Sequence, residues 1–163
     1  MLSAFLKKLL FVRQLIMLDG KVQILGYDQL MLPVEFINVI STSKNIYADL
    51  KEVAEKKMTD YAKKIGVTEQ GLLLNLVDIF ETFGLGKVEI YDLQQEKKQA
   101  IIRIHNSTIG LDYLKNKKDK KPVCIITAAI LAGMFSSLFK KKVNAEEKIC
   151  MAQGADFCEF MIK

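Results

Sequence analysis

Residues 146–158 read EEKICMAQGADFC and hold two of the chain's three cysteines, Cys150 and Cys158, on either side of Gly154. If the chain reverses at Gly154, the two thiols face each other across a hairpin, where directly opposed side chains have Cβ atoms about 4.5–5.5 Å apart. That separation suits two ligands of one tetrahedral metal ion. The third cysteine, Cys124, and a nearby carboxylate complete a candidate set of four ligands.

The nearby carboxylate is Glu147, which precedes Cys150 by three residues. In a regular strand this spacing places the two side chains on opposite faces. The site therefore requires a turn, a bulge or a short helix between Glu147 and Ile149, and Glu146 is the alternative ligand on a straight strand. Cys124 follows Pro122 by two residues, near the start of a predicted helix, where the helix dipole favours a thiolate. Four protein ligands leave no open position, so such a site is structural.

Two other interpretations of the cysteines remain open. Free cysteine is among the most buried residue types and often acts as a small hydrophobic side chain. Cys150 and Cys158 also have the spacing for a cross-strand disulfide. An odd number of cysteines without a secretory signal argues against a disulfide framework, and the cytoplasm is the expected location.

Composition indicates one domain with a substantial core. Half of the 163 residues are hydrophobic and 26% are charged, which are values of an ordinary globular protein. The net charge of +5 is concentrated in lysines at residues 115–121 and 140–142. No aromatic residues alternate with these lysines as base stacking requires, and we expect no nucleic acid partner.

Residues 122–139 are uncharged and bracketed by lysines. Eighteen residues reach the lower limit for a transmembrane helix. Thr127, Gly133, Ser136 and Ser137 lie within the segment, which favours a buried helix of a globular core. We therefore expect no membrane span.

Hydrophobic periodicity and turn signals predict an α+β fold. The predicted order is ββ-ααα-ββ-α-ββ, with a mainly antiparallel sheet of hairpins covered by helices. Asp19-Gly20 marks the turn of the first hairpin. The predicted strands cover residues 9–18, 21–31, 88–91, 100–105, 143–151 and 156–162, with a polar turn at residues 94–97. The predicted helices cover residues 33–43, 46–65, 69–83 and 122–139. Residues 107–121 are predicted to form a loop or a short helix.

Several segments resemble the 4-vinyl reductase domain family. They are LAGMF at 131–135, EKICMAQG at 147–154 and CEF at 158–160, preceded by FGLGKVEI at 83–90 and IRIHNS at 102–107. The resemblance covers residues 83–163. It implies a zinc site at Cys124, Glu147, Cys150 and Cys158. It also implies a homodimeric small-molecule-binding domain, since the family serves as the sensor of aromatic-responsive transcription activators and shares its fold with transport protein particle subunits of vesicle tethering.

The expected function is that of a stand-alone, zinc-stabilised domain that binds a small hydrophobic or aromatic molecule. Its predicted pocket lies on two apolar helices and comprises Leu76, Phe80, Phe83, Ile130, Gly133 and Met134. Small residues such as Gly133 are alternatively explained by close packing. No catalytic constellation is present. Two further functions remain open, an accessory subunit of a tetrapyrrole vinyl reductase and a protein interaction module. The apolar hairpin at about residues 9–31 is predicted to form the dimer interface of a single domain spanning residues 1–163.

Overall fold

The structure is a computed structural model that describes residues 4–18, 21–29, 37, 40, 45–65, 69–116 and 120–163. The chain divides into two compact units, Met1–Pro33 and Val34–Lys163. The first unit contains helix α1 (Ala4–Phe11) and a three-stranded antiparallel sheet of β1 (Leu15–Leu18), β2 (Lys21–Ile24) and β3 (Tyr27–Gln29), in the order β1-β2-β3.

The first predicted hairpin is present but shorter than expected. Leu18 pairs with Lys21, so the strands flank the predicted turn, whose Asp19 and Gly20 lie outside the described residues. The prediction of a strand over residues 9–18 was wrong in its first part, because α1 is rich in leucine and lysine, which are strong helix formers. The strand predicted for residues 21–31 is interrupted at Leu25-Gly26, where both φ angles are positive, +54° and +78°. These angles form a second tight turn.

The second unit contains a four-stranded antiparallel sheet and four helices within the part of the chain that the structure describes. The helices are α2 (Ile46–Ile65), α3 (Glu69–Thr82), α4 (Thr108–Asn116) and α5 (Ile125–Phe139). The strands are β4 (Lys87–Gln94), β5 (Gln99–His105), β6 (Ala145–Ile149) and β7 (Phe157–Ile162), in the order β4-β5-β7-β6. The predicted α+β class is confirmed. Of the helix predicted for residues 33–43, only residues 37 and 40 are described, and both are helical.

Alternation along β5 and β7 places one face of the sheet in the core. Ile102 and Ile104 on β5 and Phe160 and Ile162 on β7 are fully buried, while their neighbours on each strand are partly exposed. Burial of each such side chain contributes about 1.5–3 kcal/mol. Cys158 precedes Phe160 by two residues on β7, so its side chain lies on the same buried face of the sheet.

Helix α5 is the central helix of the second unit. It has 15 residues, and nearly all of them are buried. Its Gly133 packs against the backbone of α2, because a methyl group at this position would overlap the carbonyl oxygen of Lys51 and lie 2.7 Å from Cβ of Ala54. Among the described residues, no helix combines the length and the apolar character that crossing a membrane requires. Of the apolar run at 122–139, residues 125–139 form the buried helix α5, which begins three residues later than predicted.

Candidate metal centre

Four side chains converge where the start of α5 meets the β6–β7 hairpin. They are Cys124, Glu147, Cys150 and Cys158, and their candidate ligand atoms all lie within 4.8 Å of one another. The three cysteines are completely buried. Cys124 is the residue directly before α5, Glu147 is on β6, Cys150 follows β6, and Cys158 is on β7. The structure thus brings together the four residues that the sequence singles out.

A β-bulge in β6 makes this convergence possible. Glu147 pairs with Phe160, whereas Ile149 pairs with Glu159, so Lys148 is an extra residue in the ladder. The extra residue reverses the alternation, and Glu147 and Cys150 can therefore lie on the same side of the sheet. The sequence-based requirement for a turn, a bulge or a short helix between Glu147 and Ile149 is met by this bulge.

The alternative ligand Glu146 does not take part in the cluster. Its carboxylate is half exposed and forms ion pairs with Lys148 at 2.5 Å and with Lys163 at 3.5 Å. Lys148 and Lys163 lower the pKa of Glu146, chiefly through the hydrogen bond from Lys148. Glu146 would be the ligand only on a straight strand, and the bulge excludes that geometry.

The turn after Cys150 is tighter than the sequence suggests. Strand β6 ends at Ile149 rather than at residue 151, and Met151–Gln153 form one turn of 3₁₀ helix. The N–H of Gln153 donates to the Cys150 carbonyl at 3.0 Å, and the N–H of Gly154 donates to the Met151 carbonyl at 2.9 Å. Gly154 has a φ of +95°, a conformation that a glycine adopts without strain. The turn therefore closes around Gly154, and Cys150 and Cys158 lie on its two sides.

The separations of the sulfur atoms fit a tetrahedral metal ion. Sγ of Cys124 lies 3.8 Å from Sγ of Cys150 and 3.6 Å from Sγ of Cys158. Zinc–sulfur bonds of about 2.3 Å in a tetrahedron imply sulfur atoms about 3.8 Å apart. All three cysteines are free thiols, and these separations exceed the roughly 2.05 Å of a disulfide bond. The geometry of the cluster is that of a group able to hold a metal ion.

The Glu147 carboxylate is held in place with one oxygen atom unused. Its Oε2 accepts a hydrogen bond from the backbone N–H of Cys124 at 3.0 Å. Its Oε1 is buried and has no hydrogen-bond partner among the described residues. Burial raises the pKa of Glu147 to about 8, and the neighbouring Cys150 side chain adds to this effect. A buried carboxylate oxygen without a partner is unfavourable by itself, and coordination of a metal ion would satisfy it.

In the absence of a metal ion, the hydrogen bonds within the cluster favour negative charge on Cys158 over Cys124. Hydrogen bonds from Cys124 and Cys150, assisted by the backbone N–H of Met151, lower the pKa of the Cys158 thiol to about 4. The pKa of Cys124 is raised, chiefly by its hydrogen bonds to the other two cysteines. The metal-free cluster therefore favours a thiolate on Cys158 and protonated Cys124 and Glu147. Binding of a divalent cation would release protons from these groups.

The predicted pocket residues lie in different environments. Phe80 is fully buried and Met134 is 5% exposed, Ile130 is half-buried, and Phe83 is 40% exposed. The Leu76 side chain lies outside the part of the structure that is described. Gly133 contacts the backbone of α2, which is the packing role that the sequence offers as the alternative for this residue.

The sequence analysis did not identify two buried hydroxyl groups, that of Ser107 beside the cysteine cluster and that of Thr127 on α5. Ser107 is 1% exposed, and its Oγ lies 3.7 Å from Sγ of Cys124. Thr127 is also 1% exposed, and its Oγ1 has no hydrogen-bond partner among the described residues. Ser107 directly precedes α4 and is a residue type preferred at helix N-caps. That was the available signal, whereas Thr127 was noted only as one of the polar residues within an apolar helix.

The fold and the cluster together define a class of protein, an α+β domain with a buried Cys₃Glu group at the end of a four-stranded antiparallel sheet. Residues 102–163 match the family model of the 4-vinyl reductase domain, a segment that includes all four residues of the cluster. This match confirms, over residues 102–163, the resemblance to that family found in the sequence.

Relatives of known sequence come from Methanocaldococcus jannaschii. Uncharacterized protein MJ1460 is 30% identical over 88 residues, which are 54% of this chain and 52% of the relative. Uncharacterized protein MJ0150 is 28% identical over 90 residues, which are 55% of this chain and 51% of the relative. The chain spans about half the length of the curated relatives it matches.

Two solved structures share the fold. The first is the phenol-responsive sensory domain of the transcription activator PoxR with phenol, with a TM-score of 0.74 and 17% identity, covering 99% of this chain and 91% of that chain. The second is a vinyl-4-reductase family protein from Methanocaldococcus jannaschii, with a TM-score of 0.58 and 17% identity, covering 83% of each chain. At these identities the likeness concerns the fold.

Proposed function

We propose that this chain is a zinc-stabilised domain that binds a small hydrophobic or aromatic molecule, and that it acts in the cytoplasm as a sensor or carrier. The observation that carries the metal part of the proposal is the cluster of four ligand atoms within 4.8 Å. Cys124, Glu147, Cys150 and Cys158 would hold the ion. Three sulfur ligands and one oxygen ligand leave no open position on a tetrahedral zinc ion, so its role is structural.

The ligand part of the proposal is supported by the shared fold with a phenol-responsive sensory domain and by one face of α5. Thr127, Ile130 and Met134 follow one another at spacings of three and four residues, so they share that face. Two of them are apolar, as pocket walls usually are. Cys124 precedes Thr127 by three residues, so the proposed ligand site would lie next to the metal cluster.

Thr127 is the polar group that we expect to contact the ligand. A buried hydroxyl without a partner costs about 1–3 kcal/mol, and nearly all buried polar groups in proteins are paired. The Thr127 hydroxyl has no partner among the described residues. A ligand with a hydroxyl group on an aromatic ring would supply the missing hydrogen bond.

Calorimetry with phenol and toluene tests the ligand proposal, because the two compounds differ in the hydroxyl group. We expect the wild-type protein to bind phenol more tightly. In Thr127→Val, affinity for phenol should fall about 5- to 10-fold, as loss of a neutral hydrogen bond of about 1 kcal/mol predicts, and affinity for toluene should not fall. The same substitution should raise the free energy of unfolding by about 1 kcal/mol, because it removes an unpaired hydroxyl.

Thr59→Val is the matched control for this experiment. The Thr59 hydroxyl donates to the Glu55 carbonyl at 2.9 Å and lies 3.0 Å from the Ser137 hydroxyl. Its removal should lower stability and leave the affinity for both compounds unchanged. No heat of binding with either compound or with larger hydrocarbons would contradict the ligand proposal. Equal losses of phenol and toluene affinity in Thr127→Val would exclude the hydroxyl contact.

A surface groove of about 320 Å³ lies along α2. It is lined mainly by charged side chains, including Glu52, Lys56, Asp60 and Lys63. Such a lining does not suit a hydrophobic molecule. We therefore assign the hydrophobic ligand to the face of α5 and not to this groove.

We further propose that the first unit forms a homodimer interface. Phe11 is 90% exposed, Leu10, Val12 and Ile16 are each more than 40% exposed, and β1 is an edge strand of its sheet. An apolar edge strand is normally protected from solvent and from other chains, and a second copy of this chain would protect β1. Light scattering at micromolar concentration should give the mass of a dimer, and Phe11→Glu should give a monomer. Leu74→Glu, at a 69% exposed apolar residue of α3, should remain dimeric. A wild-type monomer would contradict the proposal.

A further inference from the structure

Ser107 connects the start of α4 to the cysteine cluster. Its carbonyl accepts a hydrogen bond from the N–H of Leu111 at 2.9 Å, and its Oγ accepts one from the N–H of Gly110 at 3.3 Å. These bonds identify Ser107 as the N-cap residue of α4. The same Oγ lies 3.7 Å from Sγ of Cys124. Ser107 therefore contacts a helix terminus and a cluster residue at once.

The number of hydrogens on the Ser107 hydroxyl determines which of its hydrogen bonds it donates and which it accepts. Its Oγ already accepts from Gly110, and a hydroxyl has only one hydrogen to donate. When Cys124 is a thiolate, its sulfur is an acceptor alone, so the Ser107 hydrogen points to it. The hydroxyl therefore accepts from the backbone of α4 and donates to one sulfur atom of the cluster.

Gly110 allows the first turn of α4 to lie directly against the cluster. A methyl group at Gly110 would be 3.5 Å from Sγ of Cys158 and 3.2 Å from Cβ of Met151. The positive end of a helix dipole near thiolates stabilises their charge. Charge compensation is needed here, since three thiolates and a carboxylate exceed the charge of a divalent cation.

We propose that Ser107 is a positioning residue of the metal centre, whose hydroxyl donates to the Cys124 sulfur atom and orients it toward the metal. The inference rests on the proposed zinc site. Groups that hydrogen-bond to metal ligands typically contribute 10- to 100-fold to metal affinity. A residue that only capped α4 would change stability and not the properties of the bound metal.

Two variants separate these roles. Ser107→Ala removes the hydroxyl and the cap, whereas Ser107→Gly removes the hydroxyl and weakens an N-cap by only a few tenths of a kcal/mol. Both should bind zinc about 10- to 100-fold more weakly than wild type in competition with a chromophoric chelator. In the cobalt(II)-substituted protein, both should shift the sulfur-to-cobalt charge-transfer band, because the Cys124 sulfur atom loses a hydrogen bond.

Ser136→Ala is the matched control. Ser136 is 2% exposed, and its hydroxyl donates to the Ala132 carbonyl at 2.7 Å and accepts from the N–H of Val143 at 3.1 Å. It should lower stability and leave zinc affinity and the cobalt band unchanged. Wild-type affinity and an unshifted band in Ser107→Gly would overturn the inference and leave the zinc site standing. Absence of zinc binding by the wild-type protein, measured first, would overturn the site and the inference together.

Discussion

Cys150→Ser is expected to abolish metal binding, reducing zinc from one ion per chain to a negligible amount in protein purified without added metal. Serine has nearly the shape of cysteine but offers no thiolate. Its hydroxyl in a completely buried position is a poor ligand for zinc, which prefers sulfur and nitrogen. The measurement is elemental analysis of the purified protein, with a titration of free thiols under denaturing conditions.

The loss of zinc should also lower the melting temperature substantially. A metal present at 1,000 times its dissociation constant stabilises the folded state by about 4 kcal/mol. For a chain of this size, 1 kcal/mol corresponds to about 2–4 °C, so we expect a decrease of about 8–16 °C. A chelator should reproduce the decrease in the wild-type protein and have little further effect on Cys150→Ser.

The adjacent glutamates provide the matched control for the metal site. Glu147→Gln should weaken zinc binding, since an amide is neutral and Oε1 of Glu147 is the unpaired oxygen of the cluster. Glu146→Gln should retain one zinc ion per chain, because that side chain forms surface ion pairs with Lys148 and Lys163. Three titratable thiols and no metal in the wild-type protein would instead leave the cysteines as buried hydrophobic residues.

Local sequence signals predicted the features of the fold that depend on nearby residues. Helix α2 has the predicted bounds, 46 and 65, because its apolar residues recur at the helical period. The bulge in β6 followed from a stereochemical argument. Glu147 and Cys150 cannot lie on the same side of a regular strand, so a shared site required an irregularity there.

Contacts between distant segments were missed where neither cysteine chemistry nor the family resemblance indicated them. Ser107 and Cys124 are 17 residues apart, and no periodicity in either segment indicates that they meet. The helical conformation of Ala4–Phe11 was missed for a different reason. A short apolar run has no period long enough to distinguish a strand from a helix.

Gly133→Ala is expected to destabilise the second unit by about 3 kcal/mol, at the upper end of the cost of overpacking a core. A methyl group at this position would overlap the Lys51 carbonyl oxygen and lie 2.7 Å from the backbone nitrogen of Glu55. Backbone atoms of a helix cannot rotate away as the end of a side chain can, so α2 and α5 must separate along their contact. Urea unfolding of the zinc-loaded protein measures the change.

Gly84→Ala separates this steric effect from the general cost of replacing a glycine. Gly84 has a φ of +71°, and a methyl group there would meet no atom within 4 Å. Its cost should be about 1–2 kcal/mol, that of a left-handed conformation for a residue with a Cβ atom. If Gly133→Ala lowered the free energy of unfolding no more than Gly84→Ala does, α2 and α5 would have room for a methyl group at Gly133. Gly133 would then again be a candidate residue of the pocket wall. If Gly133→Ala costs more than Gly84→Ala, the backbone of α2 occupies the space beside Gly133. The ligand would then contact only the face of α5 that carries Thr127, Ile130 and Met134.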